Sequence, residues 1–225
     1  QTCALPIWLA QRMNTALTSL TPAGVLYDTD LRLRPDGASG LLVSPLDGFA
    51  DYQRAHAWVW EHQALTRARW VAGEPGIGRK FEAIRIEILG QKRELAGLRA
   101  EVVAMRERML EAHPNTSGRF DIKHDRGGLI DIEFIVQYLV LGHAHEHAAL
   151  TGNIGNLALL RLAAQLGLVP RDEAAAAHDA YRRLRDMQHK LRLQGDKYAR
   201  VETGTLAREA AAVRTLWEIV MGAPR

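Results

Sequence analysis

Apolar positions recur along most of this 225-residue chain with the period of a helix. From Trp8 to Leu20, residues Leu9, Met13, Ala16, Leu17 and Leu20 stand three or four apart, giving one apolar face to a helix closed by Thr21-Pro22-Ala23-Gly24. The period then drops to two. Val25, Tyr27, Thr29, Leu31 and Leu33 alternate with Leu26, Asp28, Asp30, Arg32 and Arg34, which predicts a strand with an apolar and a charged face. Pro35-Asp36-Gly37 ends it as a turn, and Gly40-Leu41-Leu42-Val43 reads as a short second strand. Ser44-Pro45-Leu46-Asp47 supplies an N-cap, a first-turn proline and an acid at the head of a helical stretch reaching Val71.

Gly73-Glu74-Pro75-Gly76 is the strongest breaker, and it sets the expected boundary between a first domain, 1–73, and a second, 74–225. Beyond it Phe81, Ile84, Ile88, Leu95, Leu98, Val102, Met105 and Met109 recur at helical spacing, the seam of one long helix or two stacked ones. Phe120 to Lys123 is strand-like, Gly127-Gly128 is a hinge, and Leu129 to Gly142 is apolar nearly all round, as a helix buried on most sides would be. Helices over Ile154–Leu166, Asp172–Leu193 and Leu206–Val220 complete an all-helical bundle.

Composition narrows the class. At 47% hydrophobic and 24% charged, the mixture is that of a globular protein, not of a disordered, collagenous or disulfide-rich chain. Charges interrupt every apolar run well short of the roughly 18 residues of a membrane-spanning helix. The single cysteine, Cys3, cannot form an internal bridge and, at the chain's edge, is a poor nucleophile candidate, so a reducing cytoplasm is the expected setting. Lys and Arg number 29 against 26 Asp and Glu with no run of five, which favours neither a nucleic acid nor a membrane as partner.

Four clusters could carry chemistry. A strand would aim Asp28, Asp30, Arg32 and Arg34 to one side, where carboxylates can hold Mg²⁺ against a phosphate and guanidiniums can neutralise the remaining charge. That set describes phosphoryl or nucleotidyl transfer, with a solvated face of Asp and Arg pairs as the competing reading. Trp58, Trp60, Glu61, His62, Gln63, Arg67 and Arg69 fit an ordinary amphipathic helix with internal ion pairs. Asp121, Lys123, Asp131 and Glu133 surround the glycine hinge, and Asp131 sits in a first turn whose dipole favours an anion with or without a ligand. His143, His145 and His147 are spaced by two, which does not suit a metal site on one helix face.

Three of these stretches together resemble a known family: Gly24 to Gly37 (GVLYDTDLRLRPDG), Ala57 to Arg69 (AWVWEHQALTRAR) and Phe120 to Phe134 (FDIKHDRGGLIDIEF) look like the glutamine-synthetase adenylyltransferases. The resemblance runs from about Leu9 to near the C-terminus and leaves out Gln1 to Ile7. It implies an α+β chain, part of a polymerase-beta-type nucleotidyltransferase domain followed by an all-α bundle. It further implies transfer of AMP from ATP to a tyrosine of glutamine synthetase with Mg²⁺, regulation by the PII signal protein, and a parent that also removes AMP by phosphorolysis. The motif forms are closer to the C-terminal, adenylylating copy.

Matched position by position, Asp30 falls on a metal-binding carboxylate, Arg32 and Arg34 on the arginines beside it, and Asp28 on a position the family leaves variable. The family's Gly-Ser and Asp-x-Asp would precede the present start, and no acidic residue precedes Asp28. The chain therefore reads as a fragment of an enzyme, inactive alone. The competing class is a noncatalytic helical module that binds a regulatory protein, and an RNA-directed transferase ranks last.

Overall fold

A computed structural model describes residues 4–25, 27–31 and 33–222. The coarse layout is α+β: helices dominate, with two two-stranded antiparallel sheets. Contacts divide the chain into two compact units, one of the described residues up to Ala64 with Arg69–Ile88, the other of Leu65–Ala68 with the described residues from Leu89 on. No helix among the described residues is long and apolar enough to cross a membrane.

In the first unit α1 spans Ala4–Thr18 and leads into a hairpin, β1 (Leu20–Thr21) paired with β2 (Gly24–Val25). Thr21 closes this turn, donating its hydroxyl to the Gly24 carbonyl at 2.6 Å and accepting the Ala23 N–H at 3.2 Å. The anticipated strand does not continue: residues 27–31 are irregular, as are residues 41–43, where a second strand was expected. An alternating pattern becomes a strand only when a neighbour takes up its backbone N–H and C=O groups. Tyr27 N–H donates instead to the Leu17 carbonyl of α1 at 3.1 Å, and no other strand lies beside this segment among the described residues.

The helical stretch after Pro45 breaks in two, α2 at Leu46–Ala55 and α3 at Val59–Leu65. α2 starts after Pro45 without a side-chain cap, so Ser44 does not take that role, while Asp47 stands in its first turn where the dipole favours an acid. α4 (Pro75–Leu89) is capped by Glu74, which accepts the N–H groups of Gly76 and Ile77 at 2.8 Å each. Phe49 on α2 meets Phe81 on α4 with ring centroids 5.7 Å apart, and Arg54 forms a two-pronged pair with Glu87 at 2.7 Å.

The second unit is built on α6 (Leu129–His143), which buries twelve of its residues and packs against α5 (Leu95–Ala112), α7 (Asn156–Gln165), α8 (Arg171–Leu193) and α9 (Ala207–Met221). Its all-round apolar sequence is what such a central position requires. Glu94 caps α5 by accepting the N–H groups of Ala96 and Gly97, and these bonds hold its carboxylate below the usual range. The body is not wholly helical. β3 (Phe120–Asp121) pairs with β4 (Arg200–Val201), setting Phe120 opposite Val201 and Asp121 opposite Arg200.

Candidate functional site

The segment between β2 and α2 carries the first candidates. Asp28 and Asp30 are both exposed, and both line an open hollow of about 570 Å³ with Asn14, Thr29 and Leu31. Asn14 reaches it from α1, where its Oδ1 accepts the Thr29 hydroxyl at 2.5 Å and pins the middle of the segment. The two carboxylates thus share one hollow without the strand that was to sort them. Every polar side chain lining it offers oxygen: two carboxylates, one hydroxyl and one amide. That set suits Mg²⁺, a hard cation that keeps several waters and takes one or two protein carboxylates besides substrate phosphate.

The arginines are placed differently. Arg34 is half-buried and turns back on its own loop, donating from Nε to the Gly40 carbonyl at 3.3 Å and from its guanidinium to the Leu31 carbonyl. It holds the turn that follows the acidic segment. Arg32 lies outside the described residues, as does Cys3.

The Trp58 to Arg69 cluster is a helix-start device. Glu61 is buried and reaches back to accept the Trp58 N–H at 2.9 Å, the return half of a capping box. It also accepts the Tyr52 hydroxyl at 3.0 Å, tying α3 to α2. His62 is buried too, and its Nε2 donates to the Gln53 carbonyl at 2.9 Å, a bond that fixes the proton on that nitrogen because a carbonyl can only accept. The amphipathic helix expected to carry all of these residues stops short of Arg67 and Arg69, since α3 ends at Leu65. Arg67 instead donates to Asn156 Oδ1 at 3.1 Å, and Asn153 donates to the carbonyls of Arg67 and Ala68 at 3.3 and 3.0 Å.

Asp121, Lys123, Asp131 and Glu133 separate into two networks. Asp131 is buried against Arg106, with Nε to Oδ1 at 2.6 Å, and its second oxygen accepts the Gly127 N–H at 2.5 Å. Arg106, only 1% exposed, also donates to the His124 carbonyl at 2.8 Å. Burial pushes the Asp131 carboxyl up against the pull of Arg106 and the Gly127 N–H. Gly127 has φ +86°, and a Cβ there would stand 2.6 Å from the Ala210 carbonyl oxygen, so glycine is required for both reasons.

Asp121 accepts the N–H groups of Lys123 and His124 at 3.0 Å each and Arg200 Nε at 3.2 Å. Lys123 enters this network through its backbone. Glu133 belongs elsewhere: Tyr181 donates its hydroxyl to it at 3.3 Å and accepts Asn156 Nδ2 at 3.3 Å. His143, His145 and His147 do not fall in any group of three or more side chains able to hold a metal among the described residues. Sequence reasoning did not anticipate Asn14, Arg106, Asn156, Tyr181 or Arg200, whose partners lie 15 to 89 residues away.

Burial alone would raise the Asp121 carboxyl, yet its backbone donors, Arg200 and His124 bring the net direction below the ordinary value. A depressed folded pKa contributes stability above the unfolded value of about 3.9 and loses it as pH falls through the folded one. Asp121→Asn is therefore expected to lower the urea midpoint at pH 7, with the deficit against the unsubstituted chain shrinking as pH falls below the unfolded value of about 3.9. A deficit independent of pH would remove the charge from this account.

Comparison with known proteins adds the decisive observation. Residues 4–84 match the family model of glutamate-ammonia ligase adenylyltransferase, and residues 96–215 match that of GlnD PII-uridylyltransferase. A bifunctional glutamine synthetase adenylyltransferase/adenylyl-removing enzyme from Aromatoleum aromaticum is 56% identical over 95% of this chain and 23% of its own length. The chain belongs to the glutamine-synthetase adenylyltransferase family. Proteins of the same name from Nitrosomonas eutropha and Ralstonia nicotianae are 55% and 57% identical, again over 95% of the chain. The chain spans about a quarter of the length of these adenylyltransferases, 23% to 24%. The family match reaches back to residue 4, into the stretch before Leu9 that the motifs left out.

Proposed function

We propose that this chain is part of an enzyme that transfers AMP from ATP to a tyrosine of glutamine synthetase, and that Asp30 carries its metal-binding chemistry. The observation that carries this reading is the 56% identity, over nearly the whole chain, to a protein named for adenylyl transfer and removal. Asp28 and Asp30 lining one oxygen-rich hollow supports it. A noncatalytic helical module is the weaker reading, because both halves of the chain match models named for nucleotidyl transfer. The second match also means that the helical body does not by itself specify which nucleotide is transferred.

In this reading the β1–β2 hairpin belongs to a polymerase-beta-type domain, and the chain corresponds to the C-terminal, adenylylating copy. The parent enzyme also removes AMP by phosphorolysis, works in the cytoplasm and responds to PII. Asp30 holds the cation through its carboxylate, with Asp28 adding negative charge beside it. Bound Mg²⁺ supplies charge neutralisation at the triphosphate and polarises the α-phosphate. The Asn14 to Thr29 bond keeps the acidic segment fixed against α1. A tyrosyl oxygen then bonds to the α-phosphorus, the bond from that phosphorus to the β-bridging oxygen breaks, pyrophosphate leaves, and the phenolic proton passes to solvent. Arg34 steadies the loop that follows the acidic segment through its bonds to the Gly40 and Leu31 carbonyls.

The test is an AMP-transfer assay with labelled ATP, Mg²⁺ and glutamine synthetase. A protein with the length of the curated relatives that contains this chain is expected to label the synthetase. The 225-residue chain alone is expected not to, since Asp28 and Asp30 form no group of three metal-binding side chains among the described residues. Failure of the longer protein to label the synthetase overturns the function, and robust labelling by the chain alone overturns its dependence on further carboxylates.

A further inference from the structure

The chain's excess of positive charge is concentrated in one place. From Tyr181 to Arg200 seven Lys and Arg residues stand against two Asp, an excess of five, whereas the whole chain has 29 against 26, so the rest is net acidic by two. Six of those seven cations are exposed, and Arg200 is half-buried.

The helix arranges them. α8 buries Ala174, Ala177, Ala180 and Leu184, a stripe at spacings of three and four. At about 100° per residue, the opposite side presents Arg182, Asp186, His189 and Leu193 in a line. Arg183 and Lys190 flank this line on one side, Arg185 and Arg192 on the other. Asp186 does not offset the face as a free acid, since Lys190 at 3.0 Å and Arg183 at 3.6 Å enclose it. Beyond the helix, Lys197 and Arg200 stand over the Tyr198 ring at 5.4 and 4.5 Å. Leu193, 88% exposed, is the large apolar side chain at the end of this cationic surface.

We propose that the α8 face from Arg182 to Leu193, continued by Lys197, docks an acidic protein segment that carries an apolar side chain for Leu193. Charge complementarity selects the acid, and Leu193 selects the apolar neighbour. A nucleic acid fits less well, because single strands stack successive bases on several aromatic rings and the stretch from Arg182 to Arg200 holds one tyrosine, Tyr198, already in contact with two cations. A bilayer fits less well too, because one leucine gives an interfacial helix little to insert. This surface is independent of the AMP-transfer reading.

The test uses the 225-residue chain and five probes: a labelled peptide of repeating Glu-Glu-Leu, its Gln-Gln-Leu counterpart, an all-glutamate peptide, a single-stranded oligodeoxynucleotide of equal charge, and phosphatidylserine vesicles. The acidic peptide is expected to bind at low salt and to weaken as salt rises, with the glutamine peptide failing to bind. Arg182→Gln with Arg185→Gln should weaken binding about tenfold, while Arg79→Gln with Lys80→Gln in α4 should change it less than about twofold. Leu193→Ser should weaken the leucine-bearing peptide and leave an all-glutamate peptide unaffected.

Carbodiimide coupling to the unsubstituted chain, read by mass spectrometry, gives a measurement that does not depend on how the variants fold. Links at Lys190 and Lys197 support the site. Links confined to Lys80 or Lys92, equal losses in both pairs of variants, no binding at low salt, or tighter binding of the oligonucleotide or vesicles would each overturn it.

Discussion

Asp131→Ala is expected to cost about 3–5 kcal/mol of folding stability and to lower the urea midpoint of the chain by about 1–2 M. Arg106 is 1% exposed, and its charge is met at 2.6 Å by the Asp131 carboxylate. Removing that carboxylate leaves a buried guanidinium donating to the neutral His124 and Asp125 carbonyls and strands the Gly127 N–H, which now donates to Asp131 Oδ2. An unpaired buried charge is penalised far more than a paired one is rewarded. Arg106→Met combined with Asp131→Leu should therefore recover most of the loss, although it removes two polar groups instead of one. Asp172→Ala, at an exposed position in the first turn of α8, should change the midpoint by no more than about 0.5 kcal/mol equivalent. Circular dichroism through a urea titration of the four proteins decides the matter. A double variant as unstable as Asp131→Ala would mean that the polar network itself, and not the orphaned charge, holds the start of α6.

The contrast between this network and the acidic hollow shows what the sequence could reveal. The all-round apolar run Leu129 to Gly142 foretold a central helix because burial on every side leaves its mark at every position. The chemistry at its N-terminus was not legible in the same way. Asp121 and Asp131 stood out as acids near a glycine pair, but Arg106 is 25 residues before Asp131 and Arg200 is 79 residues after Asp121. Such pairing is a property of the packed bundle. Glu61 is the opposite case. Its bond to the N–H three residues back is local, yet an acid with bases downstream on a presumed longer helix read first as an ion-pair stripe.

Around the hollow, alternation correctly marked Asp28 and Asp30 as sharing a side and incorrectly implied a strand. Side-chain alternation reports which residues prefer water, whereas a strand also needs a neighbour for its backbone. The same gap between local and partner information affects α1. Its period of three and four is real, but Leu9 and Met13 are 53% and 55% exposed, so the amphipathic pattern predicted the helix without predicting what it packs on.

Asp30→Asn in a protein of full family length is expected to reduce AMP transfer to glutamine synthetase at least about a hundredfold, ~2.7 kcal/mol of transition-state stabilisation. The substitution preserves size and one oxygen while removing the negative charge, and a hard divalent cation draws most of its affinity from that charge. Folding should be almost untouched, because Asp30 is exposed on an irregular segment and not packed in a core. Asp28→Asn changes the same charge two residues away in the same hollow, yet the family resemblance leaves that position variable, so its loss should stay below about tenfold. The pair thus separates a ligand from a general electrostatic effect. If the carboxylates act only by making the hollow negative, both variants will lose activity alike and added salt will blunt both. If Asp30 holds the cation, its variant alone will need a higher Mg²⁺ concentration for half-maximal rate, with the unfolding midpoint unchanged. Equal small losses at both positions would remove Asp30 from the chemistry and leave the Tyr27 to Leu31 segment as scaffold.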